Sequence, residues 1–291
     1  MTISIADAIQ QASQILRNEG VSESRREAGS LLAHVIKRDR TFLLSHAEDE
    51  LDSEQFMSFR NSVERRAGGE PLQYITGLQD FYGREFRVSP DVLIPRPETE
   101  LLVAAGLECI GDSDSIICDI GTGSGCIVVT LLCERPNARG VAVDVSAPAL
   151  QVAKQNALDK GVDDRLTLAL SDCLESLPQD VRLFDLIVSN PPYVAAGVIP
   201  GLQREVKNHE PMVALSPGPD GLSIIRRLIE DAPSFLRKDG HLILEIGFDQ
   251  GEAVERLVDN ISWHLIDIRP DLQGIPRIVI LQKRRSDRVT G

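Results

Sequence analysis

The chain has 291 residues, of which 42% are hydrophobic, enough for a sizeable core in one large domain or two ordinary ones. Its 31 Lys and Arg stand against 44 Asp and Glu, a formal net charge of −13. That balance speaks against a general binder of DNA or RNA backbone, which needs concentrated cationic side chains.

Helical periodicity governs the first seventy or so residues. Ile5, Ala8, Ile9, Ala12, Ile15 and Leu16 recur at the spacing of one helix face, and Asn18-Glu19-Gly20 follows as a stop. A second helix is expected from about Ser24 to Ile36, with Ala28, Leu31, Leu32 and Val35 turned inward. Asp52, with Gln55 three residues on, has the form of a capping box for a further helix that carries Phe56, Phe59 and Val63 and stops at Gly68-Gly69. Amphipathic helices this short need a neighbour to pack on. Residues 1–69 therefore read as a small helical domain, either a support for a larger neighbour or a module that recognises a partner.

From 70 to 92 the character changes to aromatics and glycines. Tyr82-Gly83, followed by the alternation of Phe86 and Val88, predicts a short hairpin linking two domains. In Leu93-Ile94-Pro95-Arg96-Pro97-Glu98-Thr99-Glu100 the prolines force an extended backbone before a helix begins near Glu98. Arg96 and Glu98 have two readings, as solvated residues at a helix entrance or as an active-site wall that touches substrate.

A strand and helix rhythm fills residues 93–291. Strands are expected at 115–120, 140–145, 166–169, 184–189, 241–246, 263–268 and 277–281, with helices at about 126–133, 149–157 and 222–236. Continuous apolar strands separated by helices imply an α/β fold with a mostly parallel sheet covered on both faces. Ligands of such sheets lie beyond the carboxyl ends of the strands.

Asp119-Ile120-Gly121-Thr122-Gly123-Ser124-Gly125 stands at that place after the first strand. Its glycines let the backbone turn tightly and approach a ligand, and the helix that follows offers free N–H groups. Asp144 ends the next strand, where a carboxylate can accept from ribose hydroxyls. Dinucleotide sites use similar geometry, but Asp119 would set a negative charge beside a pyrophosphate. The pattern favours a cofactor with a cationic amino-acid portion, S-adenosylmethionine, over a dinucleotide. Asp172, after the third strand, reads either as a solvated turn residue or as an acceptor for the amino group of adenine.

Asn190-Pro191-Pro192-Tyr193 ends the apolar run 184–189. The prolines give carbonyls and no N–H, the asparagine adds an amide, and the tyrosine adds a flat face. Acceptors beside a ring suit a planar NH2 group, of a base or of a carboxamide. The alternative is a strand-ending loop with a buried tyrosine.

Other chemistry finds little footing. The histidines form no His-Glu-x-x-His pattern, so no metal is expected. No Gly-Lys-Ser or Gly-Lys-Thr follows the glycine loop, and Ser124 lacks the Gly-x-Ser-x-Gly setting of a nucleophile. His209 and Glu210 follow the Asn-Pro-Pro-Tyr stretch and either contact substrate or lie on the surface. Cys109, Cys118, Cys126, Cys133 and Cys173 have no Cys-x-x-Cys pairing and are expected as reduced thiols. With no basic leader and no spanning apolar stretch, a cytoplasmic protein without membrane contact is expected.

Together, Gly69-x-Pro71-Leu72-Gln73-Tyr74-Ile75-x-Gly77, Phe81-Tyr82-Gly83, the 93–100 stretch, the 119–125 loop, Asn190 to Tyr193 and Glu210-Pro211 carry a family likeness. Asp220-Gly221-Leu222, Glu245-x-Gly247 and Asp271-x-x-Gly274-x-x-Arg277 extend it over nearly the whole chain. The sequence resembles the peptide-chain release-factor glutamine N5-methyltransferases. One departure is Gly218-Pro219, where relatives commonly carry a second glycine before the aspartate. The resemblance implies a helical recognition domain, a hairpin linker and a seven-stranded methyltransferase domain. It implies methyl transfer from S-adenosylmethionine, leaving S-adenosylhomocysteine, to the glutamine amide of the Gly-Gly-Gln loop of release factors. Asp119, Gly121, Thr122, Gly123, Gly125, Asp144 and Asp172 would hold the cofactor. Asn190 would face both cofactor and substrate, with Pro191, Pro192 and Tyr193 completing the amide clamp, and no stable nucleic-acid partner is implied. An adenine methyltransferase acting on DNA shares Asn-Pro-Pro-Tyr and is the alternative, but it would need a basic duplex channel.

Overall fold

The computed structural model describes residues 3–112, 114–177 and 183–284. By its internal packing the chain divides into two units, Met1–Leu78 with Gln203–His209, and Gln79–Leu202 with Glu210–Gly291.

The helical unit opens with β1 (Ile3–Ser4), α1 (Ile5–Asn18), α2 (Ser24–Ile36), α3 (Arg40–Ser45), β2 (Glu50–Leu51), α4 (Ser53–Ala67) and α5 (Leu72–Thr76). Short polar side chains start α1, α3 and α4. Ser4 accepts the Asp7 N–H at 3.1 Å and Asp39 that of Phe42 at 2.7 Å, each cap worth about 1 kcal/mol. The expected capping box is present: Asp52 accepts from the Gln55 N–H at 2.8 Å and Gln55 from that of Asp52 at 3.2 Å. Leu16, Leu31, Leu32, Phe59 and Val63 bury themselves in one core, which gains about 1.5–3 kcal/mol per large side chain and holds helices too short to persist alone.

In the sheet unit, β3 (Leu78–Phe81) and β4 (Arg84–Arg87) form the expected hairpin. Its two turn residues, Tyr82 (φ +51°) and Gly83 (φ +69°), both lie in the left-handed region that a tight two-residue hairpin demands. There follow α6 (Glu100–Ile110), β5 (Ile116–Ile120), α7 (Cys126–Glu134), β6 (Arg139–Asp144), α8 (Ala147–Asp159), β7 (Leu166–Leu170) and β8 (Phe184–Ser189). After β8 the chain forms α9 (Arg204–His209), α10 (Met212–Leu215), α11 (Ser223–Asp231), β9 (Leu236–Glu245), α12 (Gly251–Leu257), β10 (Trp263–Pro270) and β11 (Pro276–Lys283).

The seven strands run in the order β10-β11-β9-β8-β5-β6-β7, parallel except for β11, which is antiparallel to both its neighbours. Both faces are dry. Along β11, Ile278 and Ile280 join one core while Val279 and Leu281 join the other, so the strand reads as a continuous apolar run. The chain proceeds from β5 through β6 to β7 on one side, then returns to place β8 on the other side of β5. Such a reversal opens a crevice beyond the carboxyl ends of the two central strands.

By packing, the units divide the chain differently from the expected 1–69, 70–92 and 93–291. Leu72 and Ile75 of α5 pack into the helical core, whereas Phe81 and Phe86 of the hairpin pack into a core of the sheet unit. The stretch 70–92 is thus shared between the units and is not a separate linker body. Residues 203–209, expected within the catalytic domain, belong to the helical unit, where Arg204 Nη2 donates to the Gly68 carbonyl at 2.7 Å and Glu205 pairs with Arg66 at 3.1 Å.

Candidate active site

Beyond the carboxyl ends of β5, β6, β7 and β8 lies a cavity of about 320 Å³. Each strand contributes the residues just past its last ladder bond. From β5 comes the glycine loop, whose Gly121, Gly123 and Gly125 have φ of +70°, +54° and +78°. The Gly121 and Thr122 N–H groups donate to the Val143 carbonyl at 2.9 and 3.0 Å, which ties the loop back to β6. A Cβ on Gly121 or Gly123 would meet no heavy atom within 4 Å, whereas one on Gly125 would lie 3.1 Å from the Ala153 Cβ. The first two glycines therefore border open space, and the third permits the loop to pack against α8.

Asp119 stands behind this loop rather than on the cavity wall. It is fully buried; Thr122 donates to its Oδ2 at 2.7 Å, the Val128 N–H adds a second bond, and its Oδ1 has no partner. Burial raises its pKa to about 7. Asp144, at the end of β6, does line the cavity. Its two oxygens accept from the Gly123 and Ser146 N–H groups, each at 2.9 Å, so this carboxylate also shapes the loop it faces. Asp172 lines the cavity from the end of β7, with Oδ1 held by Arg227 at 2.9 Å.

From β8 come Asn190, Pro191 and Pro192, all on the wall. Ser189 anchors the strand end by donating to the Ile120 carbonyl at 2.7 Å. Tyr193 is not on the wall. Its hydroxyl is 3.4 Å from Glu245 Oε1, burial pushes its pKa up, and its carbonyl accepts from Gln250 at 3.1 Å. The following segment is pinned to the loop after α10: the Val194 and Ala196 N–H groups donate to the Leu215 and Gly218 carbonyls at 2.9 and 3.1 Å. Arg96 and Glu98 also lie off the wall. Arg96 grips the buried Glu210 through both carboxylate oxygens at 2.6 and 2.8 Å, while burial pushes the Glu210 pKa up against that attraction. Glu98 lends its negative charge to the surroundings of Glu245.

Among the described residues the cavity wall carries Asp91, Asp144 and Asp172 and no Lys or Arg. Such a wall is a poor host for a pyrophosphate and a good one for a cationic ligand. Open glycine edges and the unpartnered oxygen of Asp119 behind them fit an S-adenosylmethionine-sized molecule. No group of three or more His, Cys, Asp and Glu able to hold a metal ion occurs among the described residues.

Two family models match, the PrmC N-terminal domain over residues 7–77 and the methyltransferase small domain over residues 99–205. A release factor glutamine methyltransferase of Cereibacter sphaeroides is 45% identical over 94% of this chain and 96% of its own length. The chain belongs to the release factor glutamine methyltransferase family. Another member, from Koribacter versatilis, is 39% identical over 98% of this chain and 100% of its own length. At 16% identity, a methyltransferase structure from Pyrococcus furiosus covers 77% of this chain and 99% of that one with a TM-score of 0.52, a likeness of fold.

Family membership leaves individual side chains to the geometry, and the site includes residues that the sequence analysis passed over. Thr99 lines the cavity and is 2% exposed. Asn190 Nδ2 donates to its hydroxyl at 3.1 Å, and the same hydroxyl acts against the burial that raises the pKa of Glu245, which is 1% exposed. Within a polar helix entrance a threonine carries no chemical signal. Glu245 was visible only as part of a shared motif. Val213 and Ala214 on α10 and Ile224 on α11 close the apolar side.

Proposed function

We propose that this chain transfers a methyl group from S-adenosylmethionine to the side-chain amide nitrogen of the glutamine in the Gly-Gly-Gln loop of peptide-chain release factors. The observation that carries the reading is the meeting, in one cavity, of a cation-tolerant glycine-loop wall and the acceptors of Asn190 and Pro191. Membership in the release factor glutamine methyltransferase family supports the same substrate, and the formal charge of −13 favours a protein over a nucleic acid. No helix among the described residues is long and apolar enough to cross a membrane, in keeping with work beside the translation machinery in the cytoplasm.

S-Adenosylmethionine supplies an electrophilic methyl group and departs as S-adenosylhomocysteine. The chain must overcome a poor nucleophile, because the amide nitrogen's lone pair is delocalised into its carbonyl. Asn190 Oδ1 and the Pro191 carbonyl accept the two N–H bonds and orient the nitrogen. As positive charge grows there, both acceptors bind more tightly, so they stabilise the transition state more than the ground state. Pro192 walls the flat carboxamide, Tyr193 fixes the end of the stretch through Glu245 and Gln250, and Arg96 and Glu98 meet the substrate outside the cavity. Gly121, Thr122 and Gly123 line the cofactor's amino-acid end with Asp119 behind them, Gly125 lets that loop seat on α8, Asp144 takes the ribose and Asp172 the adenine side. The helical unit contributes contacts to the folded substrate.

The deciding assay incubates purified chain with radiolabelled S-adenosylmethionine and either folded release factor or adenine-containing DNA. Label on the glutamine of release factor alone is expected. Label on DNA alone overturns the reading.

A further inference from the structure

We propose that Thr99 is a positioning residue for methyl transfer, holding the Asn190 side chain with Oδ1 turned to the substrate amide by accepting from Asn190 Nδ2. The inference deepens the function proposed above and rests on it for the identity of the amide.

A threonine hydroxyl has one proton to give and lone pairs to receive. Thr99 Oγ1 accepts from Asn190 Nδ2 at 3.1 Å. The amide nitrogen of Asn190 is thereby fixed against Thr99, and its oxygen is the atom left for a ligand in the cavity. Turning the amide over would set Oδ1 against Thr99 and leave Nδ2, a donor, facing the ligand.

Glu245 serves both ends of the Asn-Pro-Pro-Tyr stretch, since the Tyr193 hydroxyl approaches its Oε1 at 3.4 Å. Arg277 supplies the opposite charge that favours the ionised form, and it is itself held by Asp271 at 3.1 Å. Glu245 Oε2 has no partner.

The test compares wild type, Thr99→Val, Thr99→Ser, Asn190→Ala and the double variant Thr99→Val/Asn190→Ala. For each, kcat and KM toward folded release factor are measured, with the S-adenosylmethionine Kd by calorimetry. Thr99→Val is expected to lower kcat by roughly tenfold to a hundredfold, the effect of misplacing one transition-state acceptor, with Kd within about twofold of wild type. Thr99→Ser should recover most of kcat, and Thr99→Val should cost nothing further once Asn190 is alanine. Multiplying losses in the double variant, or a Kd that rises in step with the loss of kcat, would overturn the proposal. The Asn190 side-chain amide protons, assigned by their loss in Asn190→Ala, give a second readout that needs no turnover. Slow exchange in wild type and Thr99→Ser but faster exchange in Thr99→Val is expected, and equal exchange in all three defeats the inference. A wild-type chain inactive on release factor would sink the functional reading alone, because the exchange measurement still decides the placement of Asn190.

Discussion

Asp144 Oδ2 accepts the Gly123 N–H at 2.9 Å, so the acid at the end of β6 is bonded to the glycine loop at the end of β5 before any ligand arrives. The residue proposed to meet the ribose therefore also holds the loop proposed to meet the rest of the cofactor. Asp144→Ala is expected to weaken S-adenosylmethionine binding by roughly tenfold to a hundredfold, the range for losing hydrogen bonds to a charged group. Calorimetric titration reads this directly, and an unchanged Kd would remove Asp144 from the cofactor site.

Asn190→Ala removes one acceptor of the amide clamp. Turnover of release factor should fall by roughly tenfold to a thousandfold, as when a preorganised electrostatic contact is deleted. Cofactor affinity should hardly move. Near-normal kcat in the folded variant would argue against the clamp.

Glu245 and Asp119 each have a pKa raised to about 7 by burial. Between their unfolded values near 4 and about 7, the native chain keeps protons that the unfolded chain has lost, so these groups make stability fall as pH rises through that window. Urea midpoints should thus decline from about pH 5 to about pH 8, and Asp119→Asn should flatten that decline. An unaltered slope in the variant would show that Asp119 titrates normally.

Arg66 is 6% exposed and joins Glu27 at 2.5 Å to Glu205 at 3.1 Å within the helical unit. Arg66→Ala strands two carboxylates, which should destabilise that unit by roughly 3 kcal/mol. A shift of the urea midpoint below that of an exposed control such as Arg60→Ala would be read as the loss of this pair. Indistinguishable midpoints would mean that the cluster contributes little.

If the helical unit recognises folded substrate, a short peptide containing Gly-Gly-Gln lacks the remote contacts that position its glutamine. Its kcat/KM should lie roughly a hundredfold or more below that of release factor. Equal values would reduce the helices to a support.

Much of this was legible in the chain itself, for physical reasons that also explain the misses. The runs at 116–120, 184–189 and 241–245 are apolar on both faces and bounded by Gly, Pro or Asp, so their strands and the loops beyond them could be located in advance. Helices of four to seven residues, such as α5, α10 and α12, complete too few turns to show a periodicity. The position of Asp119 directly before the loop suggests a charge facing the ligand, whereas Thr122 donates to it at 2.7 Å and it lies fully buried off the cavity wall. Arg96 was read as a solvated residue or a wall; its partner Glu210 is 114 residues away, a distance that no local pattern spans.

The excursion of Gln203–His209 into the helical unit makes that unit discontinuous along the chain. A cut near residue 78 cannot free the two units cleanly: the carboxyl-terminal product keeps Arg204 and Glu205 but loses Gly68 and Arg66, the groups they bond. Those stranded residues lie between Tyr193 and Glu210, the partner of Arg96. Excision would thus unmoor the chain on the carboxyl side of the Asn-Pro-Pro-Tyr stretch as well as remove the helices proposed to recognise substrate. Point substitutions on the outer faces of α1 to α4 leave this tether intact, which makes them the cleaner probe of recognition.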